Sequence, residues 1–247
     1  MTQNTLIPTV LERTADGERS YDLYSRLAKD RVIFVNEEVS DQSISVALAE
    51  LVYLNAISKT KPIHMHIISP GGSVHAGLAL IDKMNFISAP VYTYCEGYAA
   101  SMGAAILCSG EPGYRFAYPN SQTMFHQVGS GGQGKVHDLY VGTNYDKRLN
   151  SLLLAMIGKN CGKLSAEEYE IIHDSIEMLK DDDENVVLKL PKPLEKKLNA
   201  VKKEFDRDNW MMPSRALEYG AIDKIVKTEK ELENYIRVKQ EENTKTK

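Results

Sequence analysis

Residues 97–105 read GYAASMGAA. A single hydroxyl, Ser101, stands among glycines and alanines, just ahead of the apolar run 104–107. Small residues let backbones approach closely, so a serine here is either a buried helix-start residue or a nucleophile held within reach of a substrate. A serine hydroxyl attacks poorly until a neighbouring base takes its proton. Six histidines are available as that base, namely His64, His66, His75, His126, His137 and His173. His126 lies in TMFHQ (123–127), at the end of an apolar strand, where an imidazole is held rigidly and still reaches solvent. Such an imidazole needs a carboxylate to fix its tautomer and stabilise its charge. DRDNW (206–210) offers Asp206 and Asp208. Negative charge developing on an attacked carbonyl oxygen needs N–H donors. The glycine turn of SPGGS (69–73) supplies such groups, and the N–H of Met102, just after the serine at a helix start, supplies another. Taken singly, each feature has a plain structural reading: a packed serine, a satisfied histidine, a solvated carboxylate, a turn. Spacing alone does not join them.

The elements that must position these residues alternate between strand and helix. RVIFV (31–35), IHMHIIS (63–69) and VYTYC (91–95) read as strands, the second with Ile63, Met65 and Ile67 on one face and His64 and His66 on the other. Helical spacing runs over 43–57 through Ile44, Ala47, Leu48, Leu51 and Leu54, and helices are predicted over 74–87 and 99–108. RFAYP and TMFH are further strands, and 135–157 reads as one long helix with a broad apolar face. This repetition implies an α/β fold built from crossover units. Residues 177–206 stand apart, with an acidic run at 181–184 and then a lysine-rich stretch. There Leu194, Leu198, Val201 and Phe205 fall on one helical face. The tail from about 228 is strongly charged and is expected to fray.

The bulk properties set bounds. The chain has 247 residues, 43% hydrophobic and 26% charged, enough for a sizeable core in one or two domains. A net charge of −4 argues against general nucleic-acid binding. No apolar stretch approaches a membrane span, and the N-terminus lacks a secretory pattern. Three cysteines, Cys95, Cys108 and Cys161, are too few and scattered for a disulfide or zinc framework, so a cytoplasmic location is expected.

Long ordered motifs join the parts. The segments LIPTVLERTADGERSYDLYSRLAKDRVIF (6–34), SPGGSVHAGLALIDKM, GYAASMGAAIL, PNSQTMFHQ, GGQGKVHDL and DRDNWMMPSRALEYGAIDKIV (206–226) resemble the proteolytic-subunit family of the Clp protease. These are serine peptidases of the crotonase-like superfamily. The resemblance covers most of the chain except 177–205 and the tail. It implies a spiral of βαβ units with a long handle helix at about 134–158. The implied divisions are an N-terminal axial-loop segment over 1–30, a catalytic domain over 31–227 and a charged tail over 228–247. By resemblance Ser101 is the nucleophile, His126 the general base and Asp208 the triad aspartate, with the backbone N–H groups of Gly72 and Met102 as oxyanion donors. Asp206 and Arg207 resemble the charged pair that meets its counterpart between rings. The implied assembly is a homo-oligomeric tetradecamer of two stacked seven-membered rings, fed with unfolded protein by an AAA+ unfoldase ATPase. The implied reaction needs no metal or cofactor, and neither nucleic acid nor membrane is an implied partner.

Several positions depart from the family pattern. Ser165 and Asp208 lie 43 positions apart, which marks an atypical insertion at about 177–205 and leaves Asp174 as an alternative aspartate by upstream spacing. The DRDNW block and the downstream EYG favour Asp208. The insertion is either a surface excursion or a lid, pore cover or docking element. By the resemblance, His64 and His66 stand where the family usually carries aromatic residues lining the pocket that grips the ATPase. Two histidines at i, i+2 could chelate a metal, but no third ligand is evident nearby, so an altered docking surface is expected. Tyr98 stands for a usual glutamine, and Val128 for a usual proline. Two other functions fit parts of this pattern: a noncatalytic Clp-like subunit assembling with an active paralogue, and an acyl-CoA enzyme of the wider crotonase superfamily.

Overall fold

The computed structural model describes residues 6–15, 17–177, 179 and 188–245. The acidic run at 181–184 lies outside the described residues. An antiparallel hairpin of β1 (Thr9–Thr14) and β2 (Gly17–Asp22) opens the chain. Asp22 then caps helix α1 (Leu23–Lys29) by accepting from the Ser25 N–H.

The body is a seven-stranded sheet. Strands β3 (Val32–Val35), β4 (Ile63–Ser69), β5 (Val91–Ala100), β6 (Arg115–Ala117) and β9 (Lys224–Ile225) run parallel in that spatial order. Helices α2 (Asp41–Ile57) and α3 (Val74–Phe86) make the crossovers to β4 and β5. Strand β5 is long enough to serve two neighbours. Its residues 93–95 pair with β6, and 98–100 pair with β7 (Gln122–Phe125). Strand β8 (Asn209–Met211) closes this branch, antiparallel to β7. The alternation predicted for β4 is realised: Ile63, Met65 and Ile67 are buried, with His64 and His66 half-buried on the other face.

The predicted helix 99–108 begins later. Ala99 and Ala100 complete β5, and α4 covers Met102–Cys108. The long helix is α5 (Val136–Asn160), followed by α6 (Ala166–Glu177). In the atypical segment, α7 (Lys192–Glu204) packs on α5 and buries Leu194, Leu198 and Val201, while Phe205 just beyond it is fully enclosed. That is the stripe expected from the spacing. Arg115 ties the sheet to the helix ends. Its guanidinium makes paired bonds to Asp223 (2.6 and 2.8 Å) and donates to the carbonyls of Cys108 and Asn160.

The expectation of a frayed tail is corrected. After α8 (Pro213–Tyr219), helix α9 (Glu229–Lys245) packs Leu232, Tyr235 and Ile236 against Tyr92, Tyr94, Tyr114 and Phe116. Thr228 caps it by accepting from the Glu231 N–H, and i, i+4 pairing such as Arg237–Glu241 supports its exposed side. Three apolar residues are enough to hold a segment that composition alone marks as solvated.

Candidate active site

Ser101 sits at the junction of β5 and α4 with φ 53° and ψ −121°. Arg31 is its only companion among described non-glycine residues at positive φ. This conformation costs backbone energy in an L-residue and persists only where the surroundings enforce it. The Ser101 N–H donates to the Met124 carbonyl at 2.8 Å, and its carbonyl accepts from Ala104 and Ala105. A serine before a helix ordinarily accepts from the first-turn N–H groups. Ser101 makes no such side-chain bond, so its hydroxyl is not spent on capping. Met102, the first residue of α4, carries an N–H that a helix start leaves without an intrahelical acceptor.

The elbow rests on a glycine loop. Gly71 has φ +89°, and a Cβ there would lie 2.6 Å from Ser101 Cβ and 2.8 Å from Met102 N. Gly72 has φ +146°, and its Cβ would meet the Val39 carbonyl at 2.3 Å. Ser69, fully buried, holds the loop by accepting from Gly71 N–H and donating to the Glu37 carbonyl. Gly103 faces Ser69, and Gly77 of α3 makes room for the Met102 side chain. Ser69 and Gly71 of the SPGGS turn thus shape the site, and so does Gly77, which residue type and spacing do not single out. The signal for Gly77 in the sequence is only a glycine inside a helix, where a Cβ would meet the Met102 side chain.

His126 follows the last residue of β7. The β7–β8 register pairs Thr123 with Met211, Met124 with Trp210 and Phe125 with Asn209. The next rung would pair His126 with Asp208, and there His126 Nδ1 faces Asp208 Oδ1 at 3.4 Å. The separation is longer than a tight charge-assisted bond, and the Asp208 side chain is 65% exposed. With Nδ1 turned to the carboxylate, Nε2 is the nitrogen left for chemistry. Asp174, the alternative by spacing, sits on α6 beside His173 and Glu177.

Gly72, Ser101, Met102 and His126 line one cavity of about 250 Å³, with Met124, Leu153 and Ile157 among its apolar walls. Asp206 accepts from Gln127 Nε2 at 3.0 Å, and Arg207 is exposed. His64 and His66 belong elsewhere. His64 Nδ1 lies 2.7 Å from Tyr94 Oη, and burial, with His66 and Arg31 nearby, pushes its pKa down to about 4. His66 Nδ1 meets Glu96 at 2.5 Å and stacks on Tyr94. Among the described residues no helix is long and apolar enough to cross a membrane.

Known proteins share this sequence over most of its length. The sequence matches the family model for Clp protease over residues 15–168 and 141–229. It is similar to an ATP-dependent Clp protease proteolytic subunit of Ligilactobacillus salivarius (strain UCC118), 36% identical over 227 residues, covering 92% of this chain and 98% of that protein.

Proposed function

The chain belongs to the Clp protease family, and from that premise we propose that it is a serine endopeptidase subunit using Ser101, His126 and Asp208. The observation that carries the reading is the strained Ser101 elbow opening into the cavity that His126 also lines, with His126 Nδ1 turned to Asp208. His126 takes the Ser101 proton through Nε2 as Oγ attacks a peptide carbonyl. The resulting oxyanion sits between the N–H groups of Gly72 and Met102. Asp208 stabilises the imidazolium, which then protonates the departing amine. Water, activated by the same histidine, hydrolyses the acyl-enzyme. The apolar walls formed by Met124, Leu153 and Ile157 receive an apolar substrate side chain next to the scissile bond.

The assembly belongs to the same proposal. Residues 1–30 form the axial-loop segment, 31–227 the catalytic domain and 228–247 the tail. Subunits form two stacked seven-membered rings joined through Asp206 and Arg207, and an AAA+ unfoldase delivers unfolded protein in the cytoplasm. The relative's name, with its words "ATP-dependent" and "proteolytic subunit", supports this partnership.

Hydrolysis of a short fluorogenic peptide by wild-type and Ser101→Ala protein tests the reading. The variant is expected to assemble normally and lose about 10⁴-fold or more in kcat. Equal turnover in both proteins would assign the chemistry elsewhere. No turnover in either would favour a noncatalytic subunit.

A further inference from the structure

The loop after His126 is held from the side by helix α5. Asn150 of α5 is buried (9% exposed), one turn before the buried apolar residues Leu153 and Leu154. Its Oδ1 accepts from the Val128 N–H at 3.0 Å, and its Nδ2 donates to Gln127 Oε1 at 3.2 Å. Gln127 in turn donates through Nε2 to Asp206 Oδ1 at 3.0 Å. Val128 supplies the N–H that a proline in that position would lack. A buried amide is retained at a cost unless its bonds are made, and Asn150 uses both ends of its amide on the two residues that follow His126.

The chain of bonds has a definite place relative to the catalytic pair. On one side of His126 and Asp208 lies the last rung of the β7–β8 ladder, Phe125 with Asn209. On the other side lies the Gln127–Asp206 bond. The loosely held 3.4 Å contact between His126 and Asp208 is therefore bracketed by two firmer links. The first is backbone and belongs to the sheet. The second hangs from Asn150.

We propose that Asn150 is a positioning residue for the His126–Asp208 pair, acting through Val128 N–H and the Gln127–Asp206 bond to keep the histidine and aspartate loops in register. This rests on the triad reading above. It does not give Asn150 contact with substrate. Asn150 sets how often imidazole and carboxylate are aligned when Ser101 attacks, so the effect falls on turnover and not on peptide affinity.

The test is steady-state peptidase kinetics on the assembled full-length protein, comparing wild type, Asn150→Leu, Gln127→Met and the double variant, with native mass and Tm measured for each. Asn150→Leu removes both bonds at similar side-chain volume. Gln127→Met removes only the link to Asp206 and the bond from Asn150, at a half-buried position where folding is safe. Asn150→Leu is expected to lower kcat about 10- to 100-fold, with KM within about twofold of wild type. Gln127→Met is expected to show a smaller loss of the same kind. The double variant is expected to fall no further than Asn150→Leu, because the two residues act on one link. Ser101 labelling by a fluorophosphonate is expected to slow in parallel. Correctly assembled Asn150→Leu protein with wild-type kcat would overturn the proposal, as would additive losses in the double variant. If Asn150→Leu does not fold, Gln127→Met decides: wild-type kcat there would overturn it. Failure of the triad reading looks different, since Ser101→Ala would then retain activity whatever Asn150 does.

Discussion

Gly71→Ala separates the geometry of the Ser101 elbow from the general cost of altering a glycine. Position 71 has φ +89°, where an L-residue costs about 1–2 kcal/mol. The added Cβ would also sit 2.6 Å from Ser101 Cβ, 2.7 Å from the Ala100 carbonyl oxygen and 2.8 Å from Met102 N. Two of those neighbours are backbone atoms that cannot swing aside. Restoring a carbon–carbon separation of about 3.5 Å requires roughly 0.9 Å of movement, shared between the loop and the elbow. Ser101 and Met102, the proposed nucleophile and oxyanion donor, both lie on the moving piece. A displacement of about 1 Å at a reacting centre costs on the order of 100-fold in rate. Gly97 provides the comparison: its φ is +71°, but a Cβ there meets nothing within 4 Å. Gly97→Ala should therefore lose similar stability to the backbone strain alone while keeping its turnover within a few-fold. The assay is kcat/KM on a fluorogenic peptide together with Tm for both variants. If Gly71→Ala turned over peptide as fast as Gly97→Ala, the contact between glycine loop and elbow would not control the nucleophile, and the reasoning would fail.

Three further outcomes follow from packing and charge. Phe205→Ala should cost about 3–5 kcal/mol, measured by urea unfolding, since Phe205 is fully buried between Phe125 (4.9 Å) and Tyr219 (5.5 Å); a loss under about 1 kcal/mol would mean α7 does not anchor the segment before Asp208. Asp223→Asn should cost about 3–5 kcal/mol, because it leaves the buried Arg115 guanidinium without its carboxylate; chemical denaturation reads this directly, and an unchanged midpoint would refute the lock. His64, with a folded pKa of about 4 against 6.5, binds its proton more readily unfolded than folded. Its contribution is thus fully present above about pH 6.5 and is lost as pH falls through about 4, by on the order of 3 kcal/mol. Replacing it with phenylalanine should flatten the decline in Tm between those pH values, and an unaltered decline would assign it to other groups.

Much of the scaffold is legible because its strands and helices carry regular patterns. Strand β4 is readable residue by residue, since burial on one face and polarity on the other follow its period. The stripe from Leu194 to Phe205 is readable for the same reason, and it packs as a helix. The start of α4 differs from the expected one because Ala99 and Ala100 suit a helix by propensity, while pairing with β7 holds them as strand. The tail differs because its charged residues outnumber the three apolar contacts that dock it. The site is legible as a set of residue types and an order of motifs. Its three-dimensional logic is not: the meeting of His126 with Asp208 depends on a β7–β8 register that no local pattern reveals. Asn150 is invisible in sequence for a related reason. A buried helix amide reveals its purpose only when the loop it grips is in view.

The central claim is that Ser101 is the activated nucleophile of this fold. Treating the assembled wild-type protein with a fluorophosphonate and mapping the adduct by peptide mass spectrometry tests it most directly, because only a serine with an aligned base and oxyanion donors reacts readily. A single adduct on the peptide carrying Ser101, lost in His126→Ala protein, is the predicted result. An adduct at another serine, or labelling of Ser101 undiminished without His126, would contradict the account.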